Sequence, residues 1–260
     1  MPRSTFYYHL KTLEAEDSHA CLKKRIRSIY ERHHGRYGYR RVTAQVRQNG
    51  EPVNHKKVQR LMQSMGLKSL VRPKKYRSYR GQMHAAAPNV LQRQFNAEQP
   101  NQRWVTDVTE FNVRGEKLYL SPVLDLYNGE IVAYQTSRRP AFEMVDTMLK
   151  KAIRKLRDSD RPLLHSDQGW HYRMPAYRHQ LAARQITQSM SRKGNCLDNA
   201  AMESFFGTLK SEFFYLSRFD SIEQLQQGIR RYIHYYNHDR IKLKLKGLSP
   251  VNYRTQALGA

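Results

Sequence analysis

The stretch RWVTDVTEFNVRGEKLYLSPVLDLYNGEIVAYQT, residues 103–136, decides the fold. Its β-branched and aromatic residues are concentrated in three segments, as is typical of strands: 104–111, 118–126 and 130–136. The intervening segments, 112–117 and 127–129, contain Asn and Gly, which favour turns. We therefore predict three strands joined in sequence by hairpins.

After these strands, helical and strand patterns alternate. Residues 141–157 carry a stripe of apolar side chains at helical spacing: Val145, Met148, Leu149, Ala152, Ile153 and Leu156. Shorter patterns then predict a strand at 162–165, a helix at 175–184, a strand at 186–190 and a helix from about Asn199. The order predicts an α/β domain.

Three acidic residues of this domain stand where strands or a helix could hold them rigidly. Asp107 lies in RWVTDVTEF, Asp167 in LLHSDQG and Glu203 in NAAMESFFGTLK. Carboxylates are unsuited to binding a polyanion directly, but they suit the holding of divalent cations beside phosphate. On spacing alone, a second interpretation stays open, in which the three are ordinary solvated surface acids.

The charge of the chain indicates a polyanionic partner. Its 260 residues include 46 Lys and Arg against 22 Asp and Glu, a formal net charge of +24. Residues 1–98 hold 21 of the basic residues against 6 acidic ones, and residues 99–260 hold 25 against 16. The excess positive charge therefore lies mostly ahead of the acidic trio.

Several classes of protein are disfavoured. The two cysteines, Cys21 and Cys196, are far apart, so neither a disulfide framework nor a zinc ribbon is expected. No apolar run reaches the roughly 18 residues of a membrane span, and MPRSTFYYHL is not typical of a signal peptide. We expect a soluble protein of the cytoplasm.

Four motifs carry a resemblance to a known family. They are W-x-x-D-x-T-x-F at 104–111, S-D-x-G at 166–169, D-N-A-x-x-E-S-F-F-x-x-L-K at 198–210, and Y-N-x-x-R at 236–240 followed by G-L-S-P at 247–250. In this order they resemble the integrase-core transposases of bacterial insertion sequences, the Asp-Asp-Glu class related to retroviral integrases. The chain departs from many relatives after the motif's Arg, where it has Ile241 and Lys242 instead of Pro-His.

The resemblance implies a ribonuclease-H-like mixed-sheet core with Asp107 in the middle of the first strand. Asp167 would follow the end of a neighbouring strand, and Glu203 would come from the last helix of the core. The three would be the catalytic residues and would bind two Mg²⁺ ions, for which Mn²⁺ could substitute. Lys210, at i+7 from Glu203, would hold a DNA phosphate.

The implied activity is cleavage of the element's ends, followed by transfer of the 3′-hydroxyl strand to target DNA. The implied partners are double-stranded DNA, as terminal repeats and as target, and further copies of the chain assembled on DNA. In this family an upstream reading frame often supplies a helix-turn-helix protein, so this chain resembles a second-frame product. The implied location is the bacterial nucleoid.

Residues 22–68 predict a small helix-turn-helix-like domain. Apolar residues at helical spacing mark three inner faces: Leu22, Ile26 and Ile29; Val42 and Val46; Val58, Leu61, Met62 and Met65. Basic residues left for the outside predict DNA contact: Arg40, Arg41, Lys56, Lys57 and Arg60. The alternative is a basic bundle that only packs on the core.

The remaining boundaries follow from composition. Residues 1–21 have the character of part of a recognition helix, with a frayed N-terminal helix as the alternative. Residues 69–98 predict a basic linker, in which Lys74, Lys75 and Arg77 could track a phosphate backbone; the alternative is a flexible, solvated tether. The catalytic core would span 99–220, and 221–260 would form a C-terminal helix and basic tail. In the tail, Lys242, Lys244 and Lys246 alternate with leucines, which predicts a strand with one basic face.

Two further interpretations remain open from sequence. One is a non-catalytic DNA-binding regulator, or a partner subunit of transposition that needs the upstream protein to act. The other is a ribonuclease-H-like nuclease that hydrolyses DNA without transferring a strand. Among the other acids, we predict that Asp198 caps the helix of Glu203, that Glu110 faces away from the site and that Asp125 is structural.

Overall fold

A computed structural model describes residue 3 and residues 17–71, 87–192 and 196–258. The chain divides into two compact units, residues 1–71 and 72–260. Lys74, Lys75 and Arg77, predicted to contact DNA, lie outside the described residues, as does most of the predicted recognition-helix segment at 1–21.

Within residues 17–71, the first unit contains three helices: α1 (Ala20–Arg32), α2 (Tyr39–Gln48) and α3 (His55–Ser64). Their buried faces are nearly those that apolar spacing predicts, from Leu22, Ile26 and Ile29 on α1 to Val58, Leu61 and Met62 on α3. Asn54 caps α3, since its Oδ1 accepts the Lys56 N–H at 2.9 Å. Local chemistry therefore sets the start of α3.

The second unit is built on a six-stranded mixed sheet. Its strands are β1 (Arg103–Thr106), β2 (Thr109–Val113), β3 (Glu116–Asp125), β4 (Ile131–Ser137), β5 (Leu163–Ser166) and β6 (Thr187–Met190). The order is β2-β3-β1-β5-β6, with β4 paired to β3. β1, β5 and β6 run parallel, and the other pairs are antiparallel. This is the predicted ribonuclease-H-like arrangement.

The first predicted strand, 104–111, is interrupted at Asp107 and Val108, so the prediction that Asp107 lies mid-strand is wrong. β1 and β2 pair with the two ends of β3 in one continuous register, which would set Asp107 opposite Pro122. Proline has no backbone N–H to donate to the ladder. The Val108 N–H bonds the Asp107 side chain instead, at 2.7 Å.

Helices cover both faces of the sheet. On one face lie α4 (Phe142–Ile153), α5 (Trp170–Arg173) and α6 (Pro175–Ala183), and on the other α7 (Ala200–Glu212) and α8 (Ile222–His238). Trp104 packs in the first layer and its neighbour Val105 in the second. Alternate residues of a strand face opposite sides, so both layers are anchored on the same buried strand.

The predicted basic strand in the tail does not form. Residues Leu243–Leu245 make a 3₁₀ turn, and Lys246 adopts a left-handed φ of 54°. Lys242 Nζ donates to the Gly129 carbonyl at 3.0 Å and lies 4.6 Å from the centre of the Tyr236 ring. The chain turns here because the Gly247 N–H reaches back to the Lys242 carbonyl, at 3.1 Å. A final helix, α9 (Pro250–Leu258), packs on α8.

Part of the range predicted as linker packs on the second unit. Leu91 is buried in the α7–α8 layer, and the backbone N–H groups of Val90 and Leu91 donate to Ser189 Oγ at 2.9 and 3.0 Å. Within the described residues, no helix has the length and apolar character required to cross a membrane.

Candidate active site

The parallel pairing of β1 with β5 brings two acidic residues together. Trp104 lies opposite Leu164 and Val105 opposite His165. The same register, continued two residues beyond, places Asp107 opposite Asp167. Since neighbouring strands lie about 4.8 Å apart, these carboxylates lie side by side where the two strands end.

The Asp107 carboxylate is held by two N–H donors. Its Oδ1 accepts from the Val108 backbone at 2.7 Å, and its Oδ2 accepts from Asn199 Nδ2 at 3.1 Å. Burial, and then the negative charges of Asp167 and Glu203, raise the pKa of Asp107 well above its usual range. Since the charges of both neighbours act on this one carboxyl, we refer to Asp107, Asp167 and Glu203 as the acidic cluster.

Asp167 is oriented by the turn that follows it. The Gly169 N–H donates to Asp167 Oδ1 at 2.9 Å. A Cβ at position 169 would lie 2.9 Å from the same oxygen, too close for an unstrained contact. Gly169 has an ordinary φ of −53°. Glycine is therefore needed here for the close approach of Asp167 Oδ1 and not for an unusual backbone conformation. Burial raises the pKa of Asp167, against the lowering effect of this bond.

Glu203 reaches the cluster from the first turn of α7. Its neighbours Met202, Phe205 and Phe206 are buried in the same layer as Val105, which fixes the helix on that face of the sheet. The partial positive charge of the helix N-terminus favours a carboxylate in this turn. Glu203 itself is half-buried, so its side chain remains within reach of solvent and of a bound group.

The donor set suits a hard divalent cation. Carboxylate oxygens are the ligands that Mg²⁺ and Mn²⁺ prefer, and a cation would offset the repulsion that raises the pKa of Asp107. Among the described residues, no three His, Cys, Asp or Glu side chains already stand as a ligand set for one ion. Asp107 and Asp167 instead direct oxygens to protein N–H groups, so ligation requires small side-chain rotations.

Asp198 does not cap α7, contrary to prediction: α7 has no side-chain cap bond, and Asp198 is fully buried. It accepts hydrogen bonds from Asn89, Arg93 and Arg192 at 2.8 to 3.0 Å. Burial alone would raise its pKa, but the bonds from Arg192 and Arg93 hold that pKa far below its usual range. No local pattern in the sequence signals these partners, because two of them lie about a hundred residues away.

The other acids have structural or surface contacts. Asp125 is buried, forms an ion pair with Arg254 and accepts the Asn101 N–H at 2.9 Å. Glu110 is exposed and lies 3.1 Å from Lys117 Nζ. Neither carboxylate is part of the cluster.

The Y-N-x-x-R motif holds α8 in place. Asn237 accepts the Ile131 N–H at 2.9 Å and donates to the Ile131 carbonyl at 3.0 Å. Arg240 makes two bonds of 2.7 Å to Glu212 at the end of α7. Through these two contacts α8 is tied both to β4 and to the helix that carries Glu203, a role that the sequence did not reveal.

The residues predicted to contact DNA lie in different settings. Lys210 is half-buried on α7, with its Nζ 5.3 Å from the centre of the Phe111 ring. Of the predicted residues on α2 and α3, Arg40, Lys56 and Arg60 are exposed, while Arg41 and Lys57 are half-buried. Arg40 extends along Tyr39, with its guanidinium 5.6 Å from the ring centre.

Comparisons with known proteins cover both units. Family models described as integrase core domain match residues 97–196 and 203–258, and a model described as HTH-like domain matches residues 16–75. The putative transposase InsK for insertion sequence element IS150 of Escherichia coli is 58% identical over 256 residues, which span 98% of this chain and 90% of that protein. The transposase for insertion sequence element IS904 of Lactococcus lactis is 32% identical, covering 94% of this chain and 98% of its own length. The HTLV-2 integrase catalytic core domain in complex with magnesium has a TM-score of 0.49 at 17% identity, over 60% of this chain and 98% of that one.

Proposed function

The chain belongs to the transposases of insertion sequences that carry an integrase core, and from this premise we propose that Asp107, Asp167 and Glu203 form its catalytic centre. As a DNA transposase it acts on phosphodiester bonds and is a polynucleotidyl transferase. The observation that carries the proposal is the pairing of β1 with β5, whose register sets Asp107 opposite Asp167, beside the helix that carries Glu203 and whose N-cap residue Asn199 bonds Asp107. The effect of Asp167 and Glu203 on the pKa of Asp107 supports one shared site.

We assign to these residues the binding of two Mg²⁺ ions, for which Mn²⁺ can substitute. When bound, the ions would neutralise phosphate charge and activate the attacking oxygen. Asp107 and Asp167 would hold them, with Glu203 completing the second position. The Val108, Gly169 and Asn199 N–H groups orient the two aspartates. Buried hydrophobic layers on both sides of the sheet hold the strand ends, and with them the backbone of both aspartates, in place.

The reaction we propose has two displacements and no covalent protein–DNA intermediate. Water first attacks a phosphodiester at the element's end, and the freed 3′-hydroxyl then attacks a phosphodiester of the target. In-line displacement at phosphorus depends mainly on positioning and electrostatic stabilisation. A site of rigid carboxylates within a basic protein meets that requirement.

The same proposal covers the partners. The helix-turn-helix-like unit would contact the terminal repeats through its exposed Arg40, Lys56 and Arg60, with Arg41 and Lys57 beside them. Lys210 would hold a phosphate near the site, and Lys74, Lys75 and Arg77 would follow the backbone. We propose that several copies assemble on DNA within the nucleoid, with an upstream-frame helix-turn-helix protein as a further partner.

The test uses the purified full chain with DNA that carries the element's ends and a target duplex. Changing Asp107, Asp167 or Glu203 singly to Ala should abolish cleavage and joining, because each change removes a cation ligand. DNA affinity, measured by fluorescence anisotropy, should stay close to wild type, because the basic surface is unchanged. The matched control is Glu110→Ala, which removes an exposed carboxylate three residues from Asp107 and should leave cleavage intact.

Chelation separates the alternatives. EDTA should stop cleavage while the chain stays folded, because buried apolar layers on both faces of the sheet stabilise the core. Wild-type-like cleavage by any one of the three variants would remove that residue from the site. Binding of element ends without cutting or joining, even with the upstream protein added, would favour a regulator, and cleavage without joining would favour a nuclease.

A further inference from the structure

Asn199, in the segment D-N-A-x-x-E, contacts the acidic cluster directly. Its side chain is only 5% exposed, and its Nδ2 donates to Asp107 Oδ2 at 3.1 Å. Its Oδ1 is buried and has no hydrogen-bond partner among the described residues. One half of the amide therefore holds a carboxylate of the cluster, and the other half lacks a partner.

A purely structural role does not account for this arrangement. Asn199 stands at the N-cap position of α7, but its side chain makes no capping bond. A buried polar atom without a partner costs about 1–3 kcal/mol. If Asn199 served only packing, nothing would offset the cost of its unpartnered Oδ1. A hydrogen bond from a polar ligand bound at the site would offset that cost.

The residue before Asn199 holds it in place. Asp198 accepts bonds from Arg192 through both the backbone N–H and the guanidinium, at 2.9 to 3.0 Å, and from Arg93 at 2.9 Å. These bonds join the end of the segment that follows β6 to the start of α7. As a result, the turn that carries Asn199 and Glu203 is fixed relative to Asp107.

We propose that Asn199 is a positioning residue of the metal site: its Nδ2 orients Asp107, and its Oδ1 accepts a hydrogen bond from the hydrated cation when one is bound. The inference rests on the proposed metal-dependent function. It assigns a distinct task to each polar residue of the segment: Asp198 anchors the turn, Asn199 orients the first aspartate and Glu203 supplies the third carboxylate.

The experiment measures Mn²⁺ binding to the full chain without DNA, from the electron paramagnetic resonance signal of free Mn²⁺. Asn199→Ala should weaken Mn²⁺ binding by about tenfold or more, the usual effect of removing a group that orients metal ligands. The matched control is Asn252→Ala, an exposed asparagine on α9, which should bind Mn²⁺ like wild type. In the joining reaction, raising the Mg²⁺ concentration should restore much of the lost kcat, with the KM for DNA unchanged.

Tryptophan fluorescence without metal shows whether Asn199→Ala folds. If it does not fold, a second variant tests the inference. Asp198→Asn keeps the shape of the side chain but loses its charge, so the turn is held less firmly and Mn²⁺ binding should also weaken. Wild-type Mn²⁺ affinity in a folded Asn199→Ala chain would overturn the inference. So would wild-type affinity in Asp198→Asn if Asn199→Ala fails to fold. If the wild-type chain binds no Mn²⁺, the proposed function itself fails.

Discussion

Replacing Arg240 with Ala should destabilise the second unit strongly, although the residue lies outside the acidic cluster. Arg240 and Glu212 have side chains only 7% and 3% exposed, and they are joined by two bonds of 2.7 Å. Tyr232 Oη donates a third bond to Glu212, at 3.1 Å. The substitution would remove the cation and two of these three bonds from a buried carboxylate.

The magnitude follows from the burial of the pair. Removing one partner of a buried ion pair costs about 3–5 kcal/mol, because the remaining charge is uncompensated. Replacing both partners with uncharged side chains removes that penalty. The double variant Glu212→Gln, Arg240→Met should therefore recover at least about 2 kcal/mol relative to Arg240→Ala.

The assay is urea unfolding at equilibrium, followed by tryptophan fluorescence. The chain has two tryptophans, Trp104 and Trp170, and both lie in the second unit, so the signal reports that unit alone. With a denaturant slope of about 2–3 kcal/mol/M, a loss of about 3–5 kcal/mol in Arg240→Ala should lower the midpoint by about 1–2.5 M. Arg114→Ala, which breaks an exposed pair with Asp220, is the control and should leave the midpoint unchanged within error.

Two outcomes would refute this reasoning. If Arg240→Ala shifts the midpoint no more than Arg114→Ala does, the buried pair does not carry the stability assigned to it. If the double variant is as unstable as the single one, the loss reflects packing around Arg240 and not the uncompensated charge of Glu212.

Three further predictions concern the site and the first unit. Without divalent cations, Asp107→Asn should raise the urea midpoint by an amount that grows from pH 5 to pH 8. Because its pKa is raised, native Asp107 keeps a proton that the unfolded chain releases above about pH 4, so the stability of the wild-type chain falls as pH rises. A difference in midpoint that does not depend on pH would contradict this. Gly169→Ala should impair cleavage in a gel assay without weakening DNA binding, since the new Cβ displaces Asp167 Oδ1; full activity would show that the close approach is dispensable. Deleting residues 1–71, which hold 15 Lys and Arg against 5 Asp and Glu, should weaken DNA binding and flatten its salt dependence by about 0.9 per lost phosphate contact in a log–log plot; an unchanged slope would mean that this unit does not contact phosphate.

Local patterns in the sequence accounted for most elements of the fold. The three-helix unit follows from apolar spacing and from the cap at Asn54, both of which act within a few residues of the chain. The strands β2 to β4 follow from β-branched runs and turn residues for the same reason. Two of the acids marked by motifs, Asp107 and Asp167, are then set side by side by the pairing of β1 with β5.

Where the sequence-based predictions failed, the deciding partner was distant in the chain. The interruption at Asp107 depends on Pro122, which faces it only once β1 and β3 are in register. The position of Asp198 before α7 predicts a helix cap, but its carboxylate instead bonds Arg93 and Asn89, which lie about a hundred residues earlier.

The sequence by itself determined the order and type of most elements and the excess of positive charge, which indicates a polyanionic partner. It also determined which acidic residues belong to motifs. What only the tertiary structure decided is the role of each polar side chain. Asn199 bonds Asp107 across 92 positions, and Asn237 bonds Ile131 across 106. The physical reason is that a buried polar group is stabilised only by the particular partner that the packed chain places beside it, whereas helix and strand propensities act over a few neighbouring residues.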